Sequence, residues 1–483
     1  MSTVDDTTAS GSERNPALDD LFRYPLLSAL TERRTRRIPR GFSVNAGPLS
    51  HESHNDPAPL TKLEEAILVL SIAGITGTTQ HDGPLVKPDG KPELGTPFLN
   101  IMARMGSSAD NAQATYFFMI NDDGIFLVRH PVGQKALEMG RDLPPKWSQW
   151  TDADWIEAAD RCLVRVSDKR LSFPREWPYY LGWNAQASNA PGTTLFFPVV
   201  DCTWQYINAL IILASEPDGK RPLFVDDWSR FNPKGLLERL AKLGSGVGLS
   251  EKIPYHPIGG LKYIRNGFVN KDSIVPLGFA HGARTDYEAF FYFQNLMLLG
   301  QAMGLGGWIH GAVFAPYIWQ QDEAKGWHGL GFRMDEAKLG RHWPPVPASQ
   351  ANPVGIDGVL ESLSPPYVSS MDEAVDRVVE SKYAAGGAGY GNEDVFARSY
   401  RNRDDARAYL KTGTRFDPRQ VAYIKDVCTY IYDTYDRFPA HVDAFYAPGM
   451  WLQFSHLETE YYDRYFDPAQ YTRQAAHDAL WHG

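Results

Sequence analysis

Residues 290–311 read FFYFQNLMLLGQAMGLGGWIHG, a long apolar run that ends in a cluster of glycines. Three amide side chains interrupt the run and no basic residues flank it. We therefore interpret it as a buried helix, in a protein core or at a dimer interface, rather than as a membrane span. Thr285 and Glu288 have the spacing of a capping box at the start of this helix, and Gly304 can end it. The stretch predicts a buried helix followed by a glycine-rich turn.

A second informative stretch, SSADNAQ at residues 107–113, is followed by a strand-like run at residues 114–120. The turn Asp122-Asp123-Gly124 separates that run from another short apolar segment, residues 125–128. Two strand-like runs joined by an Asp-Gly turn predict a β-hairpin. Residues 194–200 are a further predicted strand by composition.

Five arginines lie within eight residues near the N-terminus, where residues 33–40 read RRTRRIPR. Like charges so close together repel one another unless water or a bound anion screens them. A planar guanidinium binds phosphate through two parallel hydrogen bonds, and the hydroxyl of Thr35 adds a neutral donor. The alternatives are a solvated basic turn or a patch for nucleic acid. The preceding residues 25–30 predict a short helix with proline at its start, so the arginines follow a helix end.

These three stretches, taken in their order along the chain, resemble the motifs of the nitroreductase-like superfamily of flavoenzymes. Arg33, Arg34, Thr35 and Arg37 are similar to its Arg-Arg-Ser-x-Arg phosphate-binding motif, with threonine in place of serine. Residues 107–113 are similar to its Pro-Ser-x-x-Asn-x-Gln loop, with Ser107 in place of proline. Residues 294–311 resemble its long buried helix and Gly-Leu-Gly turn, with a histidine, His310, where the family has an acidic residue.

The resemblance implies an α+β fold of the nitroreductase kind: a mixed, largely antiparallel central sheet flanked by helices. It also implies an obligate homodimer, with FMN bound at the subunit interface. The FMN phosphate is expected on Arg33, Thr35 and Arg37, with Arg34 near the phosphate or the pyrimidine edge. Ser107, Ser108, Asn111 and Gln113 are expected to line the ring and ribityl chain, and the backbone of His310 and Gly311 to meet flavin N5. Lys338 and Arg341 are candidates for one more phosphate contact.

The implied activity is that of an FMN-dependent oxidoreductase, which moves two electrons between NAD(P)H, or an organic substrate, and a small acceptor. The flavin carries out the redox chemistry, so the protein supplies binding, orientation and electrostatics. Thr61 and Glu64 have the spacing of a capping box, which predicts a helix at residues 63–73. The spacing between the arginines and this helix resembles the azoline-oxidase branch as much as the simple nitroreductases. The alternative is a flavin-binding or cofactor-free interaction protein, whose aromatic C-terminal segment covers the site.

The composition of the 483-residue chain is that of a folded protein, with 43% hydrophobic and 13% aromatic residues. Its formal net charge of −10 argues against a general nucleic-acid binder, because no basic stripe accompanies the arginine cluster. The three cysteines are far apart and form no metal or disulfide pattern, which favours a reducing cytoplasm. No apolar leader is present near the N-terminus, so we expect a cytoplasmic protein with no membrane partner.

Three regions are predicted along the chain. Residues 1–19 are polar and predicted to be disordered. Residues 20–350 are predicted to form the FMN-binding domain. Residues 351–483 follow a proline-rich linker and are predicted to form a helical extension that packs on the core or on a partner subunit. Ser370 and Glu373 have capping-box spacing at the start of one of its helices.

Metal binding and hydrolase chemistry are alternatives to the flavoenzyme hypothesis. His456 and Glu460 are four residues apart in a helical pattern, and His441 or Asp443 would be needed to complete a metal set. No tight cluster completes that set, so no metal site is predicted. A nucleophile elbow of the form G-x-S-x-G does not occur in the sequence.

Overall fold

The central element of the fold is a seven-stranded sheet that crosses the middle of the molecule. The computed structural model describes residues 14–82, 90, 95–182, 184–228, 240, 256–258, 262–278, 287–335, 352–387, 389–412, 415–443 and 449–483. The predictions for Thr285, Lys338 and Arg341 lie outside these residues, as does most of residues 1–19.

Fifteen strands are described. They are β1 Ile75–Thr78, β2 Met102–Arg104, β3 Thr115–Asn121, β4 Gly124–Val128, β5 Leu163–Ser167, β6 Thr194–Asp201, β7 Arg221–Asp226, β8 His256–Pro257, β9 Val269–Pro276, β10 Gly306–Val313, β11 Arg333–Asp335, β12 Asn352–Ile356, β13 Leu360–Glu361, β14 His441–Asp443 and β15 Gly449–Ser455. The central sheet has the order β10-β15-β6-β3-β4-β5, with β14 also paired to β6, and every pairing in it is antiparallel. Smaller sheets join β1 to β2, β11 to β12 and β13, and β7 to β8 and, in parallel, to β9.

The α-helices are Pro16–Arg23, Leu26–Glu32, Lys62–Ala73, Gly133–Met139, Asp152–Asp160, Cys202–Leu213, Lys262–Arg265, Glu288–Met303, Ala315–Trp319, Met371–Tyr383, Glu393–Phe396, Arg403–Thr412, Pro418–Tyr435, Thr459–Tyr465, Thr472–Ala475 and His477–Trp481. Helix Glu288–Met303, hereafter the long helix, packs with Lys62–Ala73 and Asp152–Asp160 on one face of the central sheet. Residues of the segment 312–332 cover the other face. The sheet is therefore buried on both faces, and each residue of β6 is buried.

The general fold class is confirmed: the chain is mixed α and β, with antiparallel sheets and flanking helices. The predicted hairpin is β3 and β4. The capping box of Thr61 and Glu64 starts the helix Lys62–Ala73. Gly304 ends the long helix with φ of +81°, a left-handed conformation that glycine adopts at little cost.

The structure differs from the expectation at both ends of the chain. An ordered helix begins at Pro16, because the side chain of Asn15 accepts a hydrogen bond from the backbone of Ala17 and proline suits the first turn. The segment 351–483 is not purely helical, since β15 lies between β10 and β6 in the central sheet. The C-terminal part of the chain is thus built into the core sheet. Within the described residues, no helix combines the length and apolar character needed to cross a membrane.

Candidate functional site

The arginine motif lies along the outer edge of β10. Helix Leu26–Glu32 ends just before Arg33, and the chain then extends beside the glycine-rich turn. The backbone N–H of Arg36 donates a hydrogen bond to the carbonyl of Gly307, 3.2 Å away. The first and third motifs of the sequence are therefore in contact.

Three cationic side chains of this motif have no anionic partner in the part of the chain that the structure describes. Arg34 and Arg37 are exposed and Arg33 is half-buried. Arg34 donates only to the carbonyls of Thr31 and Arg33, and the guanidinium of Arg37 lies 5.4 Å from the ring centre of Trp308. Across the described ranges, no carboxylate lies within ion-pair distance of any of the three. Such a cluster of uncompensated guanidinium groups is suited to bind an anion.

Arg36, which lies between Thr35 and Arg37, has a different environment. It is 5% exposed, and its guanidinium donates to the carbonyl of Gln470 and to Oε1 of Gln301. Burial lowers the pKa of Arg36 to about 10, so it is still a cation at neutral pH. Its role is to attach the motif to the long helix and to the C-terminal segment.

A shallow depression of about 160 Å³, including solvent at its mouth, lies between the arginines and the long helix. Its walls are formed by Arg33, Arg34, Met297, Gly300, Gln301, Leu305, Gly307 and Phe454. Glycine is needed at position 300 because an added Cβ would lie 2.4 Å from the ring of Phe454. The backbone of the helix can therefore approach the sheet closely at this point.

The backbone of β10 presents hydrogen-bonding groups at the edge of the described sheet. In an antiparallel ladder, successive residues direct their N–H and C=O groups alternately toward and away from the partner strand. The carbonyls of Gly307 and Gly311 face outward, since they accept from Arg36 N and from Asn184 Nδ2 (3.0 Å) respectively. The N–H of Gly311 shares that outward direction, whereas His310 directs its own N–H toward β15.

The side chain of His310 is buried and held by neighbouring groups. Its Nε2 accepts from the indole N–H of Trp451 (2.6 Å) and lies 2.9 Å from Oγ of Ser188, and its ring stacks on Trp308 with centroids 3.6 Å apart. Burial lowers the pKa of His310 to about 3, so the ring is neutral at pH 7. The histidine therefore adds no charge at this turn.

The Ser-x-x-Asn-x-Gln loop is fixed by hydrogen bonds within the protein. Ser108 donates to the carboxylate of Glu288, and Gln113 accepts from the hydroxyl of Tyr292 at 3.0 Å. Asn111 donates to the carbonyls at residues 100 and 102. Ser107 is exposed and available to a ligand. In this chain Ser108, Asn111 and Gln113 shape the loop.

The structure does not bring all predicted site residues into one place within a single chain. The Ser108 loop contacts residue 288 of the long helix, and the arginine motif contacts residue 301. A rise of about 1.5 Å per residue separates these two contacts by roughly 20 Å along the helix axis. The two motifs therefore lie at opposite ends of the same helix.

The pairing of His456 with Glu460 is wrong. His456 precedes the helix Thr459–Tyr465, so the two residues do not share a helix face. Nε2 of His456 lies 3.2 Å from the carboxylate of Glu64, and Glu460 lies 3.1 Å from the exposed His54. Two more histidines, His477 and His482, complete a cluster that no sequence spacing indicated.

Comparison with models of protein families, with curated proteins and with solved structures finds no match to this chain.

Proposed function

We propose that this chain is an FMN-dependent oxidoreductase of the nitroreductase kind, acting between NAD(P)H or an organic substrate and a small acceptor. The observation that carries the proposal is the group of three arginines that have no anionic partner among the described residues and lie beside the Gly304–Gly307 turn. Such cations, at the end of the long helix and beside the edge strand of the sheet, fit an anionic cofactor better than a structural role.

The residues present fit the phosphate end of FMN. Arg33, Arg34 and Arg37 offer guanidinium groups for the phosphate, and the exposed hydroxyl of Thr35 offers one more donor. When bound, the flavin would supply two-electron redox chemistry. The outward N–H of Gly311 would donate a hydrogen bond to the ring edge and stabilise charge there.

A homodimer would complete the site, and this is part of the proposal. Tyr287, just before the long helix, and Phe290 and Phe291 in its first turn have exposed fractions of 40%, 55% and 44%. The adjoining helix Leu26–Glu32 exposes three leucines, Leu26, Leu27 and Leu30. A two-fold axis across two such helices would place the Ser108 end of one copy beside the arginine end of its partner. Such a contact would bury more of the surface of these apolar side chains.

The cofactor proposal is tested by titrating the purified full-length protein with FMN and with riboflavin, which lacks the phosphate. We expect about one FMN per chain. Arg34→Ala and Arg37→Ala should each weaken FMN binding at least about tenfold, because a hydrogen bond to a charged group contributes about 1.5–3 kcal/mol. Riboflavin affinity should not change in either variant. Arg23→Ala, an exposed arginine outside the motif, is the matched control. Protein that binds neither compound contradicts the proposal.

A second candidate is a flavin-binding or cofactor-free interaction protein. The small size of the depression, about 160 Å³, favours it over an open catalytic pocket. Stopped-flow mixing of the FMN-loaded protein with NADH and with NADPH separates the two functions. Bleaching of the flavin by either donor supports the oxidoreductase, whereas reduction by dithionite alone favours the second candidate.

The dimer is tested by analytical ultracentrifugation. Phe290→Asp should produce monomers, because it places a charge in the apolar face of the long helix. Leu49→Asp changes an exposed leucine of a loop and should leave the dimer intact. A wild-type protein that is monomeric at micromolar concentration would contradict this part of the proposal.

A further inference from the structure

Four side chains from distant parts of the chain meet near the C-terminus: Glu64, His456, His477 and His482. One potential ligand atom of each lies within 4.8 Å of those of the other three. The Nε2 atoms of His477 and His456 lie 2.8 and 3.2 Å from the carboxylate of Glu64, and that of His482 lies 3.9 Å from it. The first three residues are at least nine-tenths buried.

His477 is oriented by a hydrogen bond at its Nδ1 atom, which turns its Nε2 atom toward Glu64. Its Nδ1 lies 2.9 Å from the carbonyl oxygen of Met303, which can only accept, so Nδ1 carries a hydrogen. In the neutral ring, Nε2 is then a lone pair. Oε1 of Glu64 lies 2.8 Å from this buried atom, so the two are placed to bind the same ion. A histidine whose other nitrogen donates to a backbone carbonyl is the usual arrangement of a metal ligand.

The carboxylate of Glu64 is divided between two roles. Its Oε2 accepts from the backbone N–H and the hydroxyl of Thr61, at 2.6 and 2.9 Å, which forms the capping box of the helix. Its Oε1 faces His477 and His482. All of its ion-pair partners in the described part of the chain are histidines. A fully buried carboxylate without a lysine or arginine partner needs another positive charge nearby.

We propose that Glu64, His456, His477 and His482 form a binding site for a transition-metal ion of the zinc class. Three imidazole nitrogens and one carboxylate oxygen suit Zn²⁺ and related ions, whereas Mg²⁺ and Ca²⁺ prefer oxygen ligands alone. Four ligand atoms around tetrahedral zinc lie about 3.3–3.5 Å apart. The distances of 2.8, 3.2 and 3.9 Å between the histidine nitrogens and the Glu64 carboxylate span this value. The side chain of His482 is 35% exposed, so it can rotate to close the set.

The bound ion would connect three segments that the sequence keeps apart. It would join the start of helix Lys62–Ala73, the end of β15 and the C-terminal helix His477–Trp481. The same C-terminal segment supplies Gln474, which donates to the carbonyl of Leu305 in the glycine-rich turn. The metal would therefore hold the chain's end against the turn beside the arginine motif. This inference does not depend on flavin binding.

The test uses the full-length protein with any affinity tag removed, stripped with a chelator and then titrated with Co²⁺ and Zn²⁺. We expect about one ion per chain and the visible d–d absorption of tetrahedral Co²⁺, which Zn²⁺ displaces. His482→Ala should weaken Co²⁺ binding by at least about tenfold. Glu64→Gln retains the capping interaction with Thr61 but removes the anionic ligand, and it should abolish stoichiometric binding.

His54→Ala is the matched control, because His54 is an exposed histidine paired with a different glutamate. It should bind Co²⁺ like the wild type. Circular dichroism establishes that each variant is folded. A folded wild type that takes up no Co²⁺ or Zn²⁺ overturns the proposal, and so does a loss of affinity in His54→Ala equal to that in His482→Ala.

Discussion

The two ends of the long helix hold their charges in opposite ways. At its N-terminal end, the buried carboxyl of Glu288 accepts hydrogen bonds from Ser108 and from the N–H of Thr115 (3.0 Å). At its C-terminal end, Arg33 and Arg34 stand beside Gly300 and Gln301 without an anionic partner among the described residues. The carboxyl group of Glu288 is therefore enclosed and hydrogen-bonded within the protein, whereas the guanidinium groups of Arg33 and Arg34 can reach solvent.

This difference separates the residues that build the fold from those available to a ligand. A buried polar group with all its partners in the protein contributes to stability, and its removal leaves those partners unsatisfied. Exposed like charges contribute little to stability and are retained at a cost in repulsion. By this criterion Arg36 belongs with Glu288, although it lies inside the arginine motif.

The largest effect on stability is expected for Arg36→Ala. It removes the side-chain donor of the Gln470 carbonyl and one of the two donors of Gln301 Oε1, which keeps a hydrogen bond of 3.2 Å from Gln474. We expect the free energy of unfolding to fall by about 2–4 kcal/mol. Urea denaturation followed by circular dichroism measures the change. Arg36→Lys keeps the charge but loses the forked geometry, so an intermediate loss is expected. If the free energy of unfolding falls by no more than it does for an ordinary surface substitution, Arg36 contributes no more to stability than the exposed arginines.

Local signals in the sequence predicted several elements that position the site. The Asp-Gly turn between two apolar runs predicted the β3–β4 hairpin, and the Thr61–Glu64 capping box predicted the helix Lys62–Ala73. Gly304 marked the end of the long helix. These features depend on neighbouring residues, so they can be recognised without knowledge of the fold.

Features that depend on distant contacts could not be predicted. Strand β15 is buried on both faces between β10 and β6, so its apolar residues show no simple alternation, and the helical pattern of the surrounding residues predicted helices there. Glu64 and His477 are more than 400 positions apart, and no spacing rule connects them. The different roles of Arg36 and Arg34 also follow only from their tertiary contacts.

A pH-dependent effect of intermediate size is expected at the enclosed end. Burial raises the pKa of Glu288 to about 7 from a usual value of 4.5, while its hydrogen bonds act in the opposite direction. The native state therefore holds this proton more tightly than the unfolded state, so stability falls as pH rises from about 4.5 to 7 and then levels off. Between pH 4.5 and 7, the free energy of unfolding of Glu288→Gln should rise by roughly 2–3 kcal/mol relative to that of the wild type.

That comparison is made by urea denaturation of both proteins at several pH values between 4.5 and 8. Other titrating groups contribute equally to both proteins, so their contributions cancel when the two free energies of unfolding are subtracted at each pH. One such group is Lys382, whose pKa is lowered to about 7 by burial. A difference that does not change with pH would show that Glu288 is not a buried titrating group.

The smallest effect on stability is expected for Arg34→Ala, at the open end. Arg34 is exposed and donates only to the carbonyls of Thr31 and Arg33, both in its own segment. The free energy of unfolding should change by no more than about 0.5 kcal/mol. Any gain from reduced repulsion among the arginines should shrink as salt is added, because solvent-exposed charges are screened. Denaturation in low and high salt, in parallel with Arg36→Ala, measures both. A loss as large as that of Arg36→Ala would show that the exposed arginines stabilise the fold, and the distinction between the two ends of the helix would then be wrong.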